Sequence, residues 1–116
     1  MYNRGMDAWV DELRKELVNA EAAREAGNEG RARVCARRAA GIAAREYLAQ
    51  RGERPNGSAY DLLLRLGQLA ELEASTRRSA ELLTLRVSES FDLPKGVDLI
   101  AEARRLSLEL YPEIKI

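Results

Sequence analysis

One stretch of the sequence, residues 31–45, constrains the fold strongly because it combines small side chains and arginines in helical register. Four of its alanines are spaced by four, three and four residues: Ala32, Ala36, Ala39 and Ala43. On a helix this spacing places the four methyl groups on one face, which a neighbouring helix can approach closely. We therefore expect this helix at the centre of a helical bundle, with its arginines bordering the alanine face.

The first half of the chain predicts a long antiparallel helical hairpin. Apolar residues at helical spacing indicate one helix over residues 6–26 and a second over residues 29–50. Gly27 and Asn28 form the stop signal between them, and so short a loop makes the two helices antiparallel. Because glycine is unfavourable inside a helix, Gly41 predicts a close crossing by another element.

The second half predicts shorter helices and no strands. Ser58 and Asp61 have the spacing of a capping box and open a predicted helix over residues 59–73. A break near residues 75–76 favours a separate helix after it, along which Ala80, Leu83 and Val87 continue the helical spacing, with one kinked helix as the alternative. A last helix is predicted over residues 97–110.

The predicted fold class is therefore all-α, an up-and-down bundle of four to five helices built on the long hairpin. Its length predicts a single domain over residues 1–116. No apolar run approaches the ~20 residues that a membrane-spanning helix needs, and no leader peptide is recognisable. The expected location is the cytoplasm.

Charge is distributed unevenly, although the formal net charge is zero. Residues 7–29 hold seven acids and three bases, whereas residues 31–45 hold five arginines and no acid. One interpretation is that an acidic helix packs beside a basic one and the two partly neutralise each other. The alternative is that some arginines face outward and meet a phosphate-bearing or acidic partner.

The sequence offers binding candidates but no catalytic ones. The chain has no histidine, which removes the usual general base and most transition-metal sites, and its single cysteine is expected to be a small buried residue. We predict no metal and no cofactor. If the last helix packs near the arginine-rich one, their arginines form one basic surface. The candidate residues for contacting phosphate or an acidic partner are Arg31, Arg33, Arg37, Arg38, Arg104 and Arg105.

The run from Gly27 to Leu66 resembles the HEPN domain (higher eukaryotes and prokaryotes nucleotide-binding), and a looser fit of the later part extends the likeness to about two-thirds of the chain. The likeness consists of a glycine turn, a long alanine-rich helix, a loop with glycine and proline, and a short leucine-bearing helix, at residues 27–28, 32–48, 52–55 and 62–66. The resemblance implies an up-and-down bundle that forms a homodimer. It also implies a partner nucleotidyltransferase, encoded beside it in a toxin–antitoxin module, with a nucleotide or RNA as a weaker candidate ligand.

The resemblance also implies that this chain is not an enzyme. Many HEPN proteins are ribonucleases that use an arginine followed shortly by a histidine. Arg86 stands where that arginine is expected, but no histidine follows it. We therefore expect a non-catalytic binding module. Two alternatives remain: a histidine-independent ribonuclease that uses Arg86 and Asp92, and a tetratricopeptide-like adaptor that binds a partner helix in a groove.

Overall fold

The computed structural model describes the backbone of residues 4–85 and 96–116, and the side chains of residues 8–85 and 96–116. The described residues form five helices and no strand: α1 (Arg4–Glu25), α2 (Glu29–Gln50), α3 (Ala59–Leu66), α4 (Ala74–Leu83) and α5 (Leu99–Leu110). The all-α fold is confirmed, and so are the bounds predicted for α2. None of the described helices is both long enough and apolar enough to cross a membrane.

A tight turn joins α1 and α2 into the predicted hairpin. Gly27 has a φ of 80°, in the left-handed region that favours glycine, and ends α1. Asn28 begins α2, because its side-chain oxygen accepts a hydrogen bond of 3.1 Å from the backbone N–H of Arg31. The two residues of the predicted stop signal therefore have separate roles, one in each helix.

The small face of α2 is the centre of the bundle. Helix α2 packs against α1, α3 and α5. Its buried side chains include Cys35, Leu48 and six alanines: Ala32, Ala36, Ala39, Ala40, Ala43 and Ala44. Larger buried residues come from the neighbouring helices, among them Leu13 and Leu17 of α1. The predicted position of α2 is thus confirmed, and the single cysteine is buried as expected.

Gly41 permits the closest of these approaches. A Cβ atom built on Gly41 lies only 2.6 Å from the Cβ atom of Ala59 and 2.9 Å from its Cα atom. Real Cβ atoms do not come so close to other heavy atoms. The first turn of α3 therefore fits against α2 only because position 41 has no side chain, as the sequence predicted.

Helix α3 is shorter than predicted. The sequence indicated a helix over residues 59–73, but α3 ends at Leu66. After Gly67 the backbone bonds tighten from four-residue to three-residue spacing, with the N–H of Gln68 on the carbonyl of Arg65 and the N–H of Leu69 on that of Leu66. The tightened turn ends the helix while Leu69 stays buried, so the apolar periodicity continues beyond the helix itself.

Helices α3 and α4 are separate, which is the alternative that the sequence favoured over one kinked helix. Helix α4 begins at Ala74, close to the predicted break, and ends at Leu83. Its predicted continuation to Val87 lies outside the described residues. Helix α5 begins at Leu99, two residues later than predicted, because Asp98 is its N-cap and accepts bonds from the N–H groups of Ile100 and Ala101.

Helix α5 runs antiparallel to α1 and closes the bundle. Near one end, Arg24 of α1 contacts Asp98, the N-cap of α5. Near the other, the rings of Trp9 and Tyr111 lie 4.8 Å apart at an interplanar angle of 57°. The hydroxyl of Tyr111 also donates to the side chain of Gln50 at 2.9 Å. The only tryptophan is therefore a core residue, and α1, α2 and α5 meet around it.

Candidate binding site

The arginines of α2 fall on two sides of the helix. Arg31, Arg38 and Arg45 are seven residues apart and all three are exposed; we call them the arginine stripe. The stripe extends over about 21 Å, at ~1.5 Å per residue. Within the part of the chain that the structure describes, these three guanidinium groups have neither a side-chain hydrogen bond nor an ion pair. Each is available to a partner.

Apolar side chains alternate with the stripe. Val34 is 40% exposed, and Ile42 is partly buried on the same outer surface of α2. The outer face of α2 thus presents arginine, valine, arginine, isoleucine and arginine in order along the helix. A mixed face of this kind is typical of contact with a protein surface, since apolar groups add nothing to the binding of phosphate.

A shallow groove lies beside the stripe, between α1 and α2. Its cavity volume is about 320 Å³, and it continues toward the N-terminus of α3. Arg38 and Ile42 form its α2 side, while Glu12, Lys15, Glu16 and Asn19 form its α1 side. The α1 side therefore carries charges of both signs, two acids and one base, opposite the basic side of α2.

Arg33 and Arg37 do not belong to the stripe. The Nε atom of Arg37 donates to the backbone carbonyl of Leu83 at 2.7 Å, which ties the C-terminus of α4 to α2. Arg33 is partly buried, and its charge helps to lower the pKa of Glu29 one turn earlier, although the main cause is a hydrogen bond from Arg24. Arg37 therefore has a hydrogen-bond partner within the protein, whereas Arg33 interacts with Glu29 only through its charge.

The candidates of α5 are also separated from the stripe. Arg104 lies 3.5 Å from Glu21 of α1, and Arg105 lies 3.9 Å from Glu102 on its own helix. Glu102 is itself buried and accepts a hydrogen bond of 2.7 Å from Ser79. Helix α5 does pack on α2, but Arg104 lies over α1. The single basic surface that the sequence suggested is therefore not formed by these residues.

One member of the stripe was missed as a candidate. Arg45 completes the seven-residue spacing of Arg31 and Arg38, so the signal was present in the sequence. It differs from Arg37 only in the side of the helix it occupies. Which of the two sides stays exposed depends on where α4 packs, and the spacing alone does not indicate this.

Arg24 pairs with two carboxylates at once, and nothing in the sequence marked it. Its guanidinium contacts Glu29 at 2.7 Å and Asp98 at 3.0 Å, which joins α1, α2 and the N-cap of α5. These contacts raise the pKa of Arg24 and lower that of Glu29. Burial alone would raise the pKa of Asp98, but bonds from the Ala101 N–H and from Arg24 outweigh burial and lower it.

Neither a metal site nor a relative gives further guidance. Among the residues that the structure describes, no group of three histidine, cysteine or carboxylate side chains is placed to hold a metal ion. Arg86 and Asp92, the pair considered for ribonuclease activity, lie outside the described residues. Comparison with protein-family models, with characterised proteins and with solved structures finds no match to this chain. Its function is therefore argued from geometry.

Proposed function

We propose that the protein is a non-catalytic helical binding module whose arginine stripe recognises an acidic segment of a protein partner. The observation that carries this proposal is the set of three exposed guanidinium groups on one face of α2, none of which has a partner within the described residues. Arginine pairs readily with carboxylates through two parallel hydrogen bonds. Three arginines in one row therefore suit a row of carboxylates.

Two features support a protein partner over a nucleic acid. The first is the alternation of Val34 and Ile42 with the arginines, which suits a segment that carries both acidic and apolar side chains. The second is the mixed charge of the α1 wall of the groove, where Lys15 lies beside Glu12 and Glu16: the side chains of a protein segment can differ in charge and match such a wall, whereas a phosphate backbone cannot. Tyrosine or tryptophan platforms for stacking bases are not part of this face.

The HEPN-like origin, the homodimer, the neighbouring nucleotidyltransferase and the cytoplasmic location all belong to this proposal. The likeness rests on the sequence, namely on the glycine turn, the alanine-rich helix and the short leucine-bearing helix. A nucleotidyltransferase with an acidic surface segment is the partner that the likeness suggests. Co-purification of the two proteins when they are expressed together tests this identification.

The binding mode itself is tested with two probes, poly-L-glutamate and a single-stranded RNA of mixed sequence. Each is titrated into the purified protein over a series of salt concentrations. The test variant is Arg38→Glu/Arg45→Glu, since both side chains are exposed and neither holds the fold together. We expect it to weaken poly-L-glutamate binding about tenfold or more, because two favourable pairs become two repulsions.

The matched control is Arg54→Glu/Arg78→Glu, which changes the charge equally at two other exposed arginines. Equal loss in both variants assigns binding to net charge alone and contradicts the proposal. Tight RNA binding without poly-L-glutamate binding replaces the protein partner by a nucleic acid. Binding of neither probe at low salt refutes the stripe as a binding site.

A further inference from the structure

A second cavity lies on the other side of α1 from the arginine stripe. Its lining residues come from α1, from α5 and from the segment after α5: Arg14, Leu17, Val18, Arg104, Lys115 and Ile116. Glu16 of the groove and Val18 of this cavity are two residues apart, which on a helix turns them about 200° from each other. The two sites are therefore separate surfaces of the same helix.

The wall of this cavity is held in place by specific contacts. The Nε atom of Arg14 donates to the backbone carbonyl of Lys115, and its Nη1 atom contacts Asp11 at 2.6 Å. Ile114 is buried, which fastens the same segment to the core. The segment after α5 is thus fixed across α1, and the cavity beneath it is part of the fold.

The floor of the cavity is apolar and its size fits one side chain. Leu17 and Val18 line it together with Ile116, and Val18 is 66% exposed, more than any other large apolar residue in the described chain. The cavity volume is about 200 Å³. Sites for small organic ligands measure ~300–1,000 Å³, whereas one large apolar side chain that anchors an interface needs less room.

The rim of the cavity is cationic. Arg14, Arg104 and Lys115 surround the apolar floor, and of these three Arg14 is already paired with Asp11. The ammonium group of Lys115 has no partner among the described residues. Arg104 reaches Glu21 only at 3.5 Å, longer than the ~2.7–2.9 Å of a strong charged hydrogen bond, so its donors are mostly unused. An occupant that carries carboxylates beside its apolar group complements this rim.

We propose that this cavity docks an acidic segment of a partner protein by taking in one leucine-sized side chain, with flanking carboxylates on Arg104 and Lys115. This site is additional to the arginine stripe and does not depend on it. Because the two lie on opposite sides of α1, one copy of the protein holds two acidic segments at once.

The test uses a short acetylated and amidated peptide that carries one leucine between glutamates. It is titrated into the isotopically labelled full chain and followed by the amide and methyl signals of the protein. We expect the shifted signals to cluster at Leu17, Val18 and Ile116. Replacing the leucine of the peptide by alanine is expected to weaken binding about tenfold, because the buried side chain supplies most of the affinity.

The deciding variant is Val18→Glu, with Val34→Glu as its matched control. Both valines are exposed, so neither change disturbs the core. Val34 lies on the outer face of α2 beside the arginine stripe, away from this cavity. Binding that is lost in Val18→Glu and kept in Val34→Glu supports the proposal. Equal affinity for the leucine and alanine peptides overturns it, and so does a set of shifts at Arg38 and Arg45. Octanoate that shifts the same residues while the peptide does not would identify a small amphiphile as the occupant and overturn the protein partner.

Discussion

Single residues decide how closely these helices pack. Gly41 is the clearest case, because the first residue of α3 occupies the space that any side chain at position 41 needs. Gly67, by contrast, is the C-cap of α3 with ordinary helical backbone angles, and a Cβ atom there makes only ordinary contacts, none closer than 3.5 Å. The two glycines therefore differ in their place in the helix and in how closely neighbouring atoms approach them.

This difference predicts opposite outcomes for the same substitution. Gly41→Ala forces α2 and Ala59 apart, and we expect it to lower the free energy of unfolding by about 1–3 kcal/mol despite the better helix propensity of alanine. Gly67→Ala is expected to be neutral or stabilising by up to about 1 kcal/mol, since the unfolded chain loses freedom and nothing clashes. Urea denaturation followed by Trp9 fluorescence measures both. Equal stabilities of the two variants would show that the contact at Ala59 relaxes without cost.

At the scale of the helices, the caps explain which ends were predictable. Helix α3 begins with the capping box expected from Ser58 and Asp61: each side chain bonds the backbone N–H of the other residue, at 3.2 and 3.1 Å. Helix α4 has Glu73 as its N-cap residue, and the side chain of Glu73 makes no cap bond. The first four N–H groups of α4 therefore lack the partner that a shorter acidic or hydroxyl side chain supplies.

A better cap should stabilise α4. Glu73→Asp keeps the charge and brings the carboxylate within reach of the backbone at the start of the helix, and we expect about 0.5–1 kcal/mol of added stability. The matched control is Glu81→Asp, at an exposed position inside the same helix, where aspartate is the poorer helix former and a small loss is expected. Thermal denaturation measures both. A loss of stability in Glu73→Asp would mean that the helix does not begin at this residue.

The sequence predicted the position of the helices more accurately than it predicted which of their side chains contact neighbouring helices. The glycine turn and the alanine face are local signals, and they specified α2 to the residue and placed it at the centre. The end of α3 was missed because Leu69 is buried just after the helix and prolongs the apolar pattern. The candidate site was predicted only in part. Helical spacing groups Arg31, Arg38 and Arg45, but only the packing of α4 shows that Arg37 is engaged elsewhere.

Across the whole molecule, Arg24 joins parts of the chain that are far apart in sequence. Its two carboxylate partners, Glu29 and Asp98, belong to the start of α2 and the start of α5. Together they fix the end of the hairpin against the last helix. At the opposite end of the same helix pair, Trp9 and Tyr111 make the corresponding contact through aromatic rings. Helix α5 is thus held at both ends.

The Arg24 pair predicts how stability depends on pH. The pKa values of Glu29 and Asp98 lie below their ordinary values in the folded protein, so folding favours the charged carboxylates. The stabilisation is complete above the unfolded pKa values of about 4, and it is lost as the pH falls through the lower folded values. We expect urea unfolding to show stability falling as the pH is lowered below about 4.5.

Asp98→Asn isolates one part of this effect. Asparagine is an equally good N-cap, so α5 is expected to begin as before, while the charge opposite Arg24 is removed. The variant should be less stable at pH 7 and should lose less stability on acidification than the natural protein. Glu25→Gln, an exposed carboxylate on the same turn of α1 as Arg24, is the control and should keep the full acid dependence. An unchanged acid profile in Asp98→Asn would assign the effect to other carboxylates.

The alanine face of α2 has a further consequence, for the entropy of folding. Alanine has no side-chain rotamers to lose, whereas a buried leucine or methionine gives up roughly 0.5–2 kcal/mol of rotational freedom. The central helix therefore becomes ordered at little side-chain entropic cost, and the cost falls on the leucines that pack against it. The same property removes any means of adjustment: a methyl group cannot rotate away from a neighbour. Substitutions to larger residues on this face must move whole helices, so we expect α2 to tolerate sequence change on its outer surface and almost none within.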